Sequence, residues 1–264
     1  MKEKALNEKI KTKWAGRNLE CHQTIGSTND RAKELAAGKD AHGTLVIADS
    51  QTNGRGRRGK SWISEQGGNV YMSIIVKPQI PPEGASMLTL VAALAVLTGI
   101  EETTGIAMQI KWPNDIVANG CKVCGILTEM SGDTDAIHYV VIGMGINVNI
   151  NNFDKEIQHK ATSLSCLAGK RIDRGYVVAS IMKHFEKYYE EFIRYKNLTP
   201  FLDEYNRKLV NRNCAVRVLA VGKEYTGMAL GITAFGELIV QAKTGEIKYV
   251  LSGEVSVRGI YGYT

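Results

Sequence analysis

"GRGRRGKSW", Gly54 to Trp62, decides between two kinds of fold. Its first six letters satisfy G-x-G-x-x-G, the turn that holds a dinucleotide's pyrophosphate in a doubly wound sheet, yet three of those six residues are arginine. A dinucleotide turn must open a helix within a βαβ unit and be followed, about 20 positions on, by an acid that holds the ribose. Here Lys60-Ser61-Trp62-Ile63-Ser64 runs on to Gly67-Gly68, a poor helix start, and no carboxylate lies between Glu65 and Glu83. The P-loop pattern fails as well, because only Arg57 and Arg58 separate Gly56 from Gly59 where the pattern needs more. What remains is a loop carrying Arg55, Arg57, Arg58 and Lys60 with no acid between Asp49 and Glu65. Glycine lets backbone approach a ligand closely, and guanidinium forks match phosphate or carboxylate oxygens. On composition alone, an anion site and a solvated basic turn are equally good readings.

Before the loop, Ser27-Thr28-Asn29-Asp30 supplies N-cap chemistry for a short helix ending at Gly38, and GTLVIADSQ from Gly43 reads as a strand. After it, NVYMSIIVKP is β-rich up to Pro78, and an apolar helix is expected from about Glu83 to Thr104. Gln109 to Trp112 leads into a Pro113-Asn114-Asp115 turn. Ile116 to Ala118, Asn119-Gly120 and Lys122 to Leu127 then read as a hairpin on an Asn-Gly turn. AIHYVVIGMGINVN is a further strand, Ile150 to Lys160 a polar loop, and helices are expected over Thr162 to Leu167, Asp173 to Arg194 and Thr199 to Val210. From Cys214 the pattern becomes short strands separated by Gly222, Gly227, Gly231, Gly236, Gly245 and Gly253, which suggests a small β-barrel. The boundary is placed near Asn211 to Asn213, and no internal repeat is visible.

At 264 residues, the chain has room for one main domain and a small second one. Its 44% hydrophobic and 23% charged composition is that of a globular protein and excludes global disorder. A net charge of +6 admits phosphate-bearing partners without implying nucleic acid. Five scattered cysteines and an N-terminus without an apolar leader segment favour a reducing compartment, the cytoplasm. Ala85 to Ile100 is shorter than the roughly 18 residues of a spanning helix and contains Ser86, Thr89 and Thr98, so it is read as a buried core helix, with no membrane partner.

GRGRRGKSW, KWPND, KVCGILTE and GMGINVN, with STND at Ser27, occur in an order that closely resembles the signature segments of biotin protein ligases. The tail segments GMALGITAFGELIV and LSGEVSVRG resemble that family's small C-terminal barrel, so the resemblance covers nearly all of the chain from Trp14. It implies an α/β (α+β) fold: an extension over residues 1–13, a mixed-sheet catalytic domain over 14–211, and an SH3-like β-barrel over 212–264. It implies ATP-dependent activation of biotin to biotinyl-adenylate, with Mg²⁺ accompanying ATP, then transfer to a lysine of a biotin carboxyl carrier protein. A homodimer through the central sheet is part of the same implication. Many family members carry an N-terminal helix-turn-helix domain, which needs far more than thirteen residues, so no specific DNA partner is expected. Residues 1–13 are read as a short helix or a remnant. The nearest rival is a lipoate ligase or octanoyl transferase of the same fold; a DNA-binding regulator is the rival from another class.

The resemblance also distributes roles. Activation brings a carboxylate onto an α-phosphate, and fixed cations are what that step needs. Arg57 and Lys122 fall at positions that bind the biotin tail and the α-phosphate, with Arg55 and Gly56 beside them. Ser27, Thr28, Asn29 and Gln51 match the biotin pocket, although helix capping alone also explains Ser27 and Thr28. Gly125 and Gly143 match glycines that leave room for the ligand, or are turn or bulge residues. Lys60, Trp62, Asn114 and Asn147 match the nucleotide site; core packing is the competing fate of Trp62. Asp115 supports Mg²⁺ or orients a cation, or is an ordinary turn aspartate. Two positions depart from the family pattern. Lys60 stands where many members carry arginine, losing the planar fork, and Cys124 stands where glycine or alanine is common. Cys121 and Cys124 form a lone C-x-x-C pair in a hairpin, which is neither half of a zinc site nor a thioredoxin context, so no metal held by cysteines is expected.

Overall fold

A computed structural model describes residues 2–220, 223–252 and 256–259. Seven strands form one sheet: β1 (Leu19–Ile25), β2 (Leu45–Gln51), β3 (Val70–Val76), β4 (Gln109–Lys111), β5 (Asp115–Ala118), β6 (Cys121–Gly132) and β7 (Ile137–Ile146). Their order is β1-β2-β3-β7-β6-β5-β4, with β1 and β2 parallel and every other pair antiparallel. The sheet is mixed because the first connection is a helix, α2 (Thr28–Ala36), whereas the others are turns or longer crossovers.

Alternation along the strands sorts residues onto two faces. Val70, Met72, Ile74 and Val76 of β3 and Val140, Ile142, Met144 and Ile146 of β7 enter the main core. That core is covered by α3 (Met87–Thr104) and α5 (Arg174–Tyr195). The apolar run is thus a buried helix, long and apolar enough to cross a membrane by composition alone, and it lies between the sheet and α5. Gly99 makes this packing possible: a Cβ there would lie 2.8 Å from the Ile181 backbone. The intervening residues of the strands face α2, over the small cluster Ala32, Ala36, Ala41, Val46, Ile75 and Val141. On this second face three cross-strand rows run through β3, β7 and β6: Tyr71-Gly145-Gly125, Ser73-Gly143-Leu127 and Ile75-Val141-Glu129. Two of the rows carry glycine at the centre, so the sheet is hollow beneath the N-terminus of α2.

Several sequence expectations shift. β1 was not expected: LECHQTI has few apolar residues, and pairing with β2 rather than intrinsic preference makes it a strand. The apolar helix begins at Met87, because Pro81 and Pro82 start a separate 3-10 turn over Pro82–Ser86. The segment from Thr199 divides into a 3-10 turn, Thr199–Phe201, and α6 (Leu202–Lys208). A short α1 (Glu3–Lys9) lies ahead of β1, and α4 (Leu164–Ala168) starts on the Ser163 cap. The Asn-Gly hairpin forms as expected, with both turn residues at positive φ, 49° and 75°.

The C-terminal unit is an antiparallel five-stranded sheet of order β11-β10-β9-β8-β12, built from β8 (Cys214–Ala220), β9 (Lys223–Ile232), β10 (Leu238–Ala242), β11 (Ile247–Val250) and β12 (Ser256–Gly259). Gly227 and Gly231, expected between strands, lie inside β9. Gly227 lets the Val240 side chain cross above it, and Gly231 sits at a shift of register against β10. Gly236 and Gly245 are turn residues, whereas Gly222 and Gly253 lie outside the described residues. The unit is fastened to the main sheet: the Trp112 indole donates to the Gly236 carbonyl at 3.1 Å, and Asn211 Oδ1 accepts from the Trp112 amide at 2.9 Å.

Candidate active site

Beyond β2 the arginine-rich loop folds back on itself around a 3-10 turn, Arg57–Gly59, instead of opening an α-helix. The Gly56 amide donates to the Lys60 carbonyl, the Trp62 amide donates to Gly54, and Arg58 and Gly59 take positive φ to close the turn. Gly54 is obligatory, since a Cβ would lie 2.6 Å from Ser64 Oγ. The loop thereby lays the Trp62 ring on the hollow row of the sheet. Cβ atoms on Gly125 and Gly145 would lie 2.8 and 2.6 Å from that ring.

Lys122 reaches the same face through a bulge. Ile116 pairs with Cys124 but Val117 pairs with Lys122, so Val123 is an extra residue, and both Val123 and Cys124 turn into the core. Lys122 then shares a face with Gly125, three positions on, and its Nζ lies 2.6 Å from Asp115 Oδ1 and 5.2 Å from the Trp62 ring centroid. Its backbone is clamped from the other side, with its amide donating to Lys160 and its carbonyl accepting from Thr162. The row that holds the two glycines continues through Asp115 to Lys111, which is 6% exposed.

Two cavities meet at this point. The inner one, about 60 Å³, lies under the N-terminus of α2 and is walled by Ser27, Thr28, Asn29, Gln51, Arg55, Gly125 and Gly143. The outer one, about 420 Å³, is walled by Lys60, Asp115 and Asn147 together with Arg58, Lys111, Phe153 and Val257. Gly56, Arg57, Trp62, Asn114 and Lys122 line both. Every residue expected at the site therefore borders one cavity or the other, and the two cations expected at the reacting centre stand where the cavities join.

Arg57 is held there by Asn114 Oδ1, at 3.0 Å, and by the Ser252 carbonyl of the C-terminal unit. Burial pulls its guanidinium below the usual range; Asp115 opposes that and Arg58 adds to it. Arg55 is turned away from the junction, paired with Asp30 at 2.9 Å. In the inner cavity the Thr28 amide and hydroxyl both reach Gln51 Oε1, at 2.8 and 3.1 Å, while Gln51 Nε2 donates to Ser64 Oγ at 2.9 Å. Ser27 also caps α2, its Oγ accepting from the Asp30 amide at 3.5 Å. Asn147 is buried beside the strand end of β7, its amide donating to Val123.

The sequence reading missed Gly145, Tyr71, Lys111, Phe153 and Val257. Gly145 had a signal, the same alternation that marks Gly143. Phe153 stands in the segment read as a polar loop, and Val257 lies on β12, far from the loop in sequence, with no local cue. Cys124 is fully buried, which pushes its thiol far above the usual range, and all five cysteines are free. Among the described residues no three His, Cys, Asp or Glu side chains converge on a metal-sized site.

The model of the biotin/lipoate A/B protein ligase family matches residues 22–147, and that of the biotin protein ligase C-terminal domain matches residues 211–258. The chain is 42% identical over 250 residues to the bifunctional ligase/repressor BirA of Bacillus subtilis, covering 94% of this chain and 76% of that protein. It is 31% identical over 261 residues to the biotin–[acetyl-CoA-carboxylase] ligase of Mycobacterium tuberculosis, covering 96% and 94%. A solved structure of biotin protein ligase from Aquifex aeolicus in complex with biotin and ATP aligns with a TM-score of 0.81 at 32% identity, over 92% of this chain and 99% of that one.

Proposed function

The chain belongs to the biotin protein ligase family, and from its two joined cavities we infer how it works as one: biotin enters the inner cavity, ATP the outer, and they react where Arg57 and Lys122 stand. The observation that carries this reading is the shared wall. A carboxylate and a triphosphate repel each other, so two cations held on the wall that both cavities share are what an adenylation requires. A biotin carboxylate oxygen attacks the α-phosphorus, the bond to pyrophosphate breaks, and biotinyl-adenylate forms. The neutral ε-amine of a carrier lysine then attacks the acyl carbon, AMP leaves, and the amine's proton passes to solvent.

Polar groups of Ser27, Thr28, Asn29 and Gln51 suit a cyclic urea, and the hollow left by Gly125 and Gly143 admits it. Trp62 and Asn147 suit the nucleotide side, with Lys60 near the phosphates. Mg²⁺ would arrive on the triphosphate, with Asp115 as the nearest expected carboxylate, already paired with Lys122. The acceptor is a biotin carboxyl carrier protein. Only the ligase half of the Bacillus relative's name is extended to these 264 residues. A homodimer through the central sheet is favoured by its two edges: β4 is covered by the segment at Leu209 and Val210, whereas β1 has no strand on its outer side among the described residues.

The test is ATP–pyrophosphate exchange with biotin and lipoate compared side by side. Biotin-dependent exchange is expected; exchange with lipoate or octanoate and none with biotin would overturn the assignment.

A further inference from the structure

Glu129 stands behind the inner cavity without lining it, on the third cross-strand row, and its carboxylate joins two residues of α2. Oε2 accepts from Asn29 Nδ2 at 2.7 Å and Oε1 from Lys33 Nζ at 2.5 Å. Burial would raise its pKa, but the hydrogen bonds from Lys33 and Asn29 and the charge of Arg55 outweigh it and hold the group ionised. An ionised carboxylate only accepts hydrogen bonds. The Asn29 amide nitrogen must therefore face Glu129 and the Leu127 carbonyl, and Oδ1 must face forward, against Gly143, where it accepts from Ser73 Oγ at 2.6 Å.

A second fixed point lies on the other side of the pocket. The Thr28 backbone N–H donates to Gln51 Oε1, which orients Gln51 with its NH₂ toward Ser64 and leaves one further N–H. The Thr28 hydroxyl proton is spent on Gln51 Oε1, 3.1 Å away, while its oxygen is already an acceptor toward Ser73 Oγ at 2.8 Å, so Thr28 also meets the cavity as an acceptor. The cavity thus offers acceptors on Asn29 and Thr28 and a donor on Gln51. A cyclic urea has the opposite set, two N–H groups and one carbonyl; a dithiolane has none.

Resting on the biotin reading above, we propose that Glu129, held by Lys33, is a specificity-determining positioning residue that fixes Asn29 Oδ1 as the acceptor for one ureido N–H of the substrate. Glutamine at this position can donate from its own amide, so Asn29 is no longer held in one orientation. The effect falls on recognition of the ring and leaves the reacting junction at Arg57 and Lys122 untouched.

The experiment is steady-state pyrophosphate exchange by the full chain, with biotin and its two analogues methylated at one or the other ureido nitrogen. Glu129→Gln should raise the KM for biotin about tenfold with kcat changed less than about threefold and the KM for ATP unchanged. The penalty for methylating one of the two nitrogens should shrink by about the same factor in Glu129→Gln. If Glu129→Gln does not fold, Lys33→Met, which leaves the cavity wall intact, should show the same pattern in weaker form. Equal methylation penalties in wild type and variant would make Glu129 merely structural and overturn this inference alone. Absence of biotin-dependent exchange in the wild type would instead bring down the biotin reading, and this inference with it.

Discussion

Removing the amino group of Lys122 should damage adenylate formation far more than transfer. Its Nζ lies 2.6 Å from Asp115 Oδ1, and the two side chains are only 23% and 15% exposed, so Lys122→Ala has two effects at once. The cation facing the α-phosphate is lost, and the Asp115 carboxylate turns from a partner into a repulsive charge beside the triphosphate. One unit charge about 4 Å away in a half-buried site is worth about 4 kcal/mol. Arg57 lines the same junction and retains part of that interaction, so the net loss is set at about 3 kcal/mol, roughly a hundredfold in exchange rate or somewhat more. Transfer needs less from Lys122, because the acyl group is already activated and its attacker is neutral. Both steps are measured on the same preparations: biotin-dependent pyrophosphate exchange, then supply of synthetic biotinyl-adenylate with a carrier domain and labelling followed by mass. If Lys122→Ala left exchange intact and abolished labelling from the supplied adenylate, Lys122 would belong to the second step and the reasoning would fail.

Gly143→Ala should lower biotin affinity about tenfold or more at a stability cost of about 1–3 kcal/mol, because the added methyl takes the place of Asn29 Oδ1. Calorimetric binding at the wild-type level would refute the close contact. Away from the site, Glu102 is held at a pKa of about 2 by hydrogen bonds from Lys183, Ser180 and His184. Its folded pKa lies below the ordinary 4.5, so its contribution to stability is present above that pH and is lost as pH falls toward 2. Glu102→Gln should therefore melt below wild type at neutral pH with a gap that closes across that window; a gap independent of pH would contradict the ion pairing.

Much of the fold was legible because the signals are local. The Asn119-Gly120 turn, the Ser27 and Asp173 caps and the apolar run ending in the left-handed Gly105 each depend on a few neighbouring residues. The alternation of Gly143 and Gly145 with Ile142, Met144 and Ile146 likewise states that one face of a strand is empty and the other is core. Gly54 to Trp62, read by what it lacks, excluded the dinucleotide turn, and the folded loop holds one 3-10 turn, Arg57–Gly59, and opens no α-helix.

Other features were settled only by distant parts of the chain. LECHQTI carries too little apolar residue to declare itself a strand, and it is one because β2 supplies its hydrogen bonds. Lys122 and Gly125 are three positions apart, and in a regular strand they would point to opposite faces. The bulge at Val123 brings them together, and it exists because β5 pairs on one side of it while residues 160–162 clamp Lys122 on the other. Ser252 reaches Arg57 at the junction, and Val257 the outer cavity, because Trp112 and Asn211 dock the C-terminal sheet there. Pattern along a strand determines which face a residue takes while pairing is regular; where an extra residue breaks the ladder, the pairing partners decide, and they are distant in sequence.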